Sequence, residues 1–199
     1  MLKRAFDCSC AALGLVALAP VFAVIAILIR ADSPGPVFYR QVRVGRHGEL
    51  FRIWKFRTMT HVQPDGAPQI TAANDARITR IGRVLRRFKL DELPQLINVL
   101  VGEMSLVGPR PEVPRYVALY PTHLKEIVLS VRPGITDLAS LSFRHESEIL
   151  ARSKDPEREY VEVVLPQKLA LSAQYIATHS LRSDLVLIIR TLARVFRRA

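Results

Sequence analysis

Asp91 and Glu92 are adjacent carboxylates set between an arginine-rich segment and a Leu93-Pro94 pair suited to the first turn of a helix. Arg83, Arg86, Arg87 and Lys89 precede them, and Arg110 follows in a loop stiffened by Pro109 and Pro111. A carboxylate among cations and near a helix N-terminus stays ionised, the state a nucleophile needs. The same cations suit the oxygens of a diphosphate, which arginine forks and helix amides bind. Two carboxylates beside phosphate repel it, so this chemistry calls for a divalent cation. Mg²⁺ is the usual partner of carboxylate and phosphate oxygens, and Asp91 and Glu92 would be its protein ligands. The plain alternative is that the pair only caps the next helix, satisfying free amides and the helix dipole.

The elements that would position these residues follow from periodicity. Segments 37–44 and 50–57 alternate around a Gly-containing turn at 45–48 and predict a β-hairpin carrying Lys55 and Arg57. Residues 61–74 read as a loop. Ile78, Ile81, Leu85 and Phe88 recur at helical spacing and predict a helix over 75–88 with arginines on its other faces. A second helix is expected from Leu93-Pro94 to Gly102, and 105–111 reads as a rigid loop. Further helices are expected at 112–120, 146–152 and 156–178, with a turn at Arg132-Pro133-Gly134. The fold class expected is α+β and mainly helical, with a small β-hairpin and amphipathic helices lying on the surface around the acid pair.

Of 199 residues, 49 % are hydrophobic, which excludes disorder and low complexity. Cys8 and Cys10 alone cannot build a disulfide framework, so a reducing compartment is expected. A formal net charge of +11 combined with a mean hydropathy of +0.16 suits a protein lying on anionic lipid better than one binding nucleic acid. Residues 8–29 carry no charge and as a helix would measure about 33 Å, close to a bilayer's hydrocarbon thickness. A signal peptide, a spanning anchor and a re-entrant helix all compete. Pro20 lies near the middle of the run, and basic residues (Lys3 and Arg4 before; Arg30, Arg40, Arg43 and Arg46 after) flank both ends. Residues 180–199 predict a basic amphipathic helix with Leu181, Leu185, Ile188, Ile189, Leu192 and Phe196 as its apolar stripe. No linker is long enough to divide the chain, which is expected to run from a membrane helix (1–30) through a central domain holding the acid pair (31–179) to an interfacial C-terminal helix (180–199).

Five blocks carry a more specific signal. Gln41-Val42-Arg43-Val44-Gly45, Lys55-Phe56-Arg57-Thr58-Met59 and Thr79-Arg80-Ile81-Gly82-Arg83 resemble the bacterial sugar transferases, the monotopic phosphoglycosyl transferases. So do Leu90-Asp91-Glu92-Leu93-Pro94-Gln95-Leu96-Ile97-Asn98-Val99-Leu100 and Gly102-Glu103-Met104-Ser105-Leu106-Val107-Gly108-Pro109-Arg110-Pro111. The resemblance extends through Arg132-Pro133-Gly134-Ile135-Thr136 into the last helix.

It implies transfer of a sugar 1-phosphate from a nucleotide sugar, usually a UDP-sugar, to a polyprenyl phosphate such as undecaprenyl phosphate, with release of UMP. Asp91 would be the nucleophile of a phosphosugar-aspartyl intermediate, and Glu92 the acid linked to Mg²⁺. Arg110, Arg87, Lys55 and Arg57 would hold phosphate. The N-terminal helix would be re-entrant, broken at Ala19-Pro20, where Ala19 replaces the family's frequent Ser, and would sit in the cytoplasmic face of a bacterial inner membrane of anionic phospholipid. Phe88-Lys89 stands where small polar residues are commoner. The chain resembles the minimal catalytic form, without the transmembrane bundle of longer members. Residues 63–74 and 140–153 are expected to select the sugar.

Two other classes remain. The arginines from Arg77 to Arg87 could track a nucleic-acid backbone on a membrane-tethered protein, although no aromatic residues interleave with them. An inactive scaffold for other glycan enzymes is the second. His47, His61, His123, His145 and His179 show no metal-ligand spacing.

Overall fold

The computed structural model describes residues 2–60, 75–143, 150 and 153–196. Its longest element, α1 (Leu2–Asp32), is a helix of 31 residues, about 46 Å by its rise per residue. It is the one helix among the described residues long and apolar enough to cross a membrane. α1 runs through Pro20, so the expected break at Ala19-Pro20 is a proline within one continuous helix. Both residues are exposed, which leaves the ring no packing partner to disturb.

One face of α1 is occupied along its whole length. Asp7, Ala11, Ile25 and Ile29 are buried at helical spacing, while Leu13, Val16, Val24 and Ile27 on the other side are exposed. Ala11 packs with Phe51, Ile53, Val99 and Met104. Ile25 and Ile29 pack with Phe56 and Leu85, and Phe22 meets the Phe56 ring edge-on.

Polar contacts pin both ends to the same body. Arg4 donates to Val99 O and Leu100 O, and Asp7 accepts from Ser105 Oγ at 2.7 Å. At the other end Asp32 accepts from Ile81 N at 2.9 Å, and Arg57 donates to the Ile29, Ser33 and Pro34 carbonyls.

The hairpin forms as expected. β1 (Phe38–Val44) pairs antiparallel with β2 (Leu50–Phe56), in a register that sets Tyr39 opposite Lys55. α2 (Arg80–Arg87) is shorter than the periodicity predicted. Ile78 instead bridges to Met59, and Thr79 caps the helix by accepting from Gly82 N at 3.0 Å. Gly82 lies so close to the chain that a Cβ there would sit 2.1 Å from Thr58 O, so the helix meets the end of the hairpin backbone to backbone.

A 3₁₀ turn over Leu90–Glu92 follows, then α3 (Gln95–Val101), which ends at Gly102 with φ 96°. Asn98 joins α3 to the hairpin. Its Oδ1 accepts from Trp54 N at 2.9 Å and its Nδ2 donates to Arg52 O at 3.0 Å.

The segment read as a rigid loop begins as a strand. β3 (Ser105–Val107) pairs parallel with β4 (Gly134–Thr136), which also claims the glycine expected in a turn. The crossing is possible because two glycines meet, and a Cβ on Gly134 would lie 2.1 Å from Gly108 N. The helix expected over 112–120 is reduced to α4 (Pro114–Val117), and α5 (Thr122–Leu129) and α6 (Leu138–Ser142) were not foreseen.

The predicted 156–178 helix is one run with a π turn inside it: α7 (Pro156–Glu159), the turn Tyr160–Val164, then α8 (Leu165–Thr178). Pro166 has no N–H to give, which favours a wide turn just upstream of it. α9 (Leu181–Phe196) packs Leu187 and Ile188 against Val107 and Tyr175, leaving Leu185, Ile189 and Leu192 exposed. Arg197, Arg198, the loop 61–74 and nearly all of 146–152 lie outside the described residues.

Candidate active site

The 3₁₀ turn presents Asp91 and Glu92 from a backbone reversal at Lys89, whose φ of 57° turns the chain between α2 and α3. Neither side chain hydrogen-bonds a free amide of α3, so the pair does not cap that helix through side-chain hydrogen bonds. Both are buried, with 8 % and 9 % of their surface exposed.

Glu92 is held by two cations. Arg110 donates from Nη2 at 2.5 Å and Nη1 at 3.3 Å, and Lys55 donates from Nζ at 3.1 Å. Asp91 Oδ1 is buried with no hydrogen-bond partner. Burial and the neighbouring Glu92 charge push the Asp91 carboxyl above its usual range, against the pull of Lys55, Lys89 and Arg86. Burial also acts to raise Glu92, yet Arg110, Lys55 and Lys89 hold it well below the ordinary glutamate value. The cations expected to keep Asp91 ionised thus serve Glu92 first, because their donors point to Glu92 and not to Asp91.

Lys55, Asp91, Glu92 and Arg110 come together although 55 residues separate the first from the last in sequence. Lys55 arrives on β2, and Arg110 on the loop after β3, where Asp137 Oδ2 accepts from its backbone N at 3.3 Å. Arg57 does not join them. β2 ends at Phe56, and beyond it the Arg57 side chain turns to the carbonyls at the end of α1.

Arg87 is exposed, with its guanidinium 5.4 Å from the centre of the Phe88 ring. The α2 cation that faces the carboxylates is Arg86, which donates from Nε to Thr58 Oγ1 at 2.8 Å and feels the charge of Asp91. Its position four residues after Gly82, on the face turned to Thr58, is a signal available once the helix start is known. Gln95, fully buried with Nε2 unpaired, was also missed. Among the described residues no group of three or more His, Cys, Asp or Glu is placed to hold a metal. The donors that are present, two adjacent carboxylates with one buried oxygen unpartnered, suit a hard cation completed by phosphate oxygens.

A family model described as bacterial sugar transferase matches residues 1–198. The chain belongs to the bacterial sugar transferase family. It is 36 % identical over 199 residues to the UDP-glucose:undecaprenyl-phosphate glucose-1-phosphate transferase of Escherichia coli K12, an alignment covering 98 % of this chain and 40 % of that protein. A transferase of the same name from Caulobacter vibrioides is 41 % identical over 193 residues, covering 95 % of this chain and 67 % of the relative. A UDP-N-acetylgalactosamine-undecaprenyl-phosphate N-acetylgalactosaminephosphotransferase from Aeromonas hydrophila is 39 % identical over 142 residues, or 70 % of this chain and 34 % of its own. The chain thus spans less than half of the Escherichia and Aeromonas proteins. In this bacterial sugar transferase the alignments with the first two relatives take in nearly the whole chain, and the family match includes Lys55, Asp91, Glu92 and Arg110.

Proposed function

We propose that this protein transfers a sugar 1-phosphate from a UDP-sugar to a polyprenyl phosphate, by way of a phosphosugar-aspartyl intermediate on Asp91. The observation that carries the reading is the division of labour in one buried acid pair: Glu92 is paired with two cations, while an oxygen of Asp91 has no partner. In the first half-reaction a carboxylate oxygen of Asp91 bonds to the β-phosphorus, and the bond from that phosphorus to the bridging oxygen breaks. UMP leaves with that oxygen and its electron pair. In the second, a phosphate oxygen of the polyprenyl phosphate bonds to the same phosphorus and Asp91 leaves as a carboxylate. Arg110 and Lys55 orient the donor's phosphates, Arg86 adds positive charge from α2, and burial keeps water from the mixed anhydride.

The two carboxylates fit Mg²⁺ through Asp91 and Glu92, and the bound ion would neutralise charge on the diphosphate. Leaving-group charge would then rest on Arg110 and Lys55. The relatives' names support undecaprenyl phosphate as the lipid and name two sugars, so the sugar is a matter for experiment.

The membrane reading rests on α1. A helix of that length that crossed a bilayer would carry one end away from the domain, but here both ends are tied to it, and an apolar face including Val16 and Ile27 is left outward. We read α1 as re-entrant or lying shallow in the cytoplasmic leaflet of the inner membrane. Residues 180–199 would lie on anionic lipid beside it, and 31–179 would carry the chemistry. A membrane-tethered nucleic-acid binder or scaffold gains nothing from a buried acid dyad in which one member is paired with cations and the other keeps an unpartnered oxygen.

The test is release of UMP by the full chain in detergent with Mg²⁺, undecaprenyl phosphate and a panel of UDP-sugars. Radiolabel from the sugar should remain on the protein when the lipid is withheld. Lipid product formed without any labelled protein would remove the covalent route.

A further inference from the structure

Behind Arg110 lies a second buried charged cluster that the transfer reaction does not use. Glu112 Oε1 accepts from Tyr160 Oη at 2.5 Å and from Lys168 Nζ at 3.3 Å, and its Oε2 lies 3.6 Å from Arg43 Nη1. All but Arg43 are below 9 % exposed. Three separate elements supply the cluster: Arg43 comes from β1, Tyr160 from the π turn and Lys168 from α8.

A buried ion cluster is a poor source of stability, since apolar residues of similar volume often serve equally well. What distinguishes this one is the peptide on which it converges. Arg43 Nη1 also donates to Pro111 O at 2.9 Å, Val44 N donates to Glu112 O at 3.0 Å, and Asp137 holds Arg110 N from the other side. The peptide 110–112 is therefore fixed at three successive residues. Arg110, Glu112, Asp137 and Lys168 line one small cavity together with Ser172. Burial acts to raise Glu112, yet Lys168, Arg43, the Tyr160 hydroxyl and Arg110 hold it below the usual glutamate range.

We propose that Glu112, with Arg43, Tyr160 and Lys168, is a positioning device that aims the Arg110 guanidinium at the phosphates of the nucleotide donor. The inference rests on the reading of Arg110 as a phosphate ligand. The π turn acquires a purpose on this view, because it brings the Tyr160 hydroxyl and Lys168 Nζ within 3.2 Å of each other above Glu112.

The experiment is a double-mutant cycle read by calorimetric binding of UDP with Mg²⁺ to the full chain in detergent. Glu112→Gln and the milder Tyr160→Phe, which deletes one hydroxyl, are each made alone and with Arg110→Ala. The expected result is about a fivefold weakening of UDP binding by Glu112→Gln, with a smaller loss for Tyr160→Phe. Neither should weaken binding further once Arg110 is Ala. Equal weakening in both backgrounds, or none in the first, overturns the proposal; if Glu112→Gln does not fold, the Tyr160→Phe cycle decides by the same criterion. A wild-type protein that binds no UDP would instead overturn the reading of the site, and the device with it.

Discussion

A nucleophilic carboxylate has to be both ionised and unsatisfied, and these demands oppose each other in a buried site. On the proposed mechanism Asp91 would meet them at a cost to the fold. Its raised pKa means the folded state holds the proton more tightly than the unfolded chain, so stability is lost as pH rises through the folded value. Asp91→Asn should therefore abolish UMP release while raising stability at neutral pH by about 1 kcal/mol, or ~3 °C in Tm. Thermal melts beside the activity assay check this, and a lower Tm in the variant would mean that Asp91 is structurally paired after all.

Burial first, and the Glu92 charge after it, would set the acid limb. On the proposed mechanism transfer needs the Asp91 carboxylate, so the rate should rise with pH through the raised Asp91 pKa, and removing the Glu92 charge would remove the smaller of the two causes of that elevation. In Glu92→Gln the residual transfer rate should fall, and its acid limb should move to lower pH. A pH–rate profile with an unmoved limb would assign that limb to another group.

Lys55 was legible in the sequence from the basic Lys55-Phe56-Arg57 motif, and Arg110 from the prolines on either side of it. Arg57 was expected at the phosphates from the same basic motif, but β2 stops one residue before it and its side chain turns to the carbonyls at the end of α1. Arg87 was singled out over Arg86 because the run of arginines before Asp91 does not itself say which one turns inward; the Thr58 contact of Arg86 does.

At the scale of elements, the hairpin, α3 and α9 could be read from alternation, from Pro94 and Gly102, and from a long apolar stripe. The β3–β4 pair could not. Three-residue strands carry no period, and their partnership spans a stretch containing two helices, so only the glycines hint at it. Those glycines are where the element fails most easily. Gly134→Ala would drive a Cβ to 2.1 Å from Gly108 N, and backbone cannot yield as a side-chain tip can. The substitution should cost ~2 kcal/mol or more and disturb the Arg110 loop directly, lowering Tm and nucleotide affinity together. Gly48→Ala, at positive φ but with open space around it, should cost about 1 kcal/mol and leave affinity unchanged.

For the whole molecule the deciding contact is Lys3 with Asp184, 2.5 Å apart, which ties the start of α1 to α9. Asp184 is 1 % exposed, and its other oxygen accepts from Tyr175 Oη at 2.6 Å. Were α1 to cross the bilayer away from the domain, Asp184 would lose its cation while staying buried, a loss of roughly 3–5 kcal/mol. Asp7 would leave Ser105, and Arg4 would leave the end of α3. The apolar length of α1 alone gave no means of distinguishing these outcomes, because the partners of Lys3, Arg4 and Asp7 lie about 95 to 180 residues away in the chain.

The prediction is topological. Tags at the N-terminus and within 33–36 should both be reachable from the cytoplasmic side of inverted vesicles and from neither side be split. A second arm tests the outward face. Val16, 76 % exposed at the middle of α1, should as Val16→Asp leave the melting of the purified domain within about 0.5 kcal/mol of wild type. The same change should weaken binding to vesicles containing phosphatidylglycerol about 100-fold, the size expected for a carboxylate placed in hydrocarbon. An N-terminal tag found on the far side would require α1 to abandon Asp184, and unchanged vesicle binding by Val16→Asp would mean that the exposed apolar face of α1 does not enter lipid.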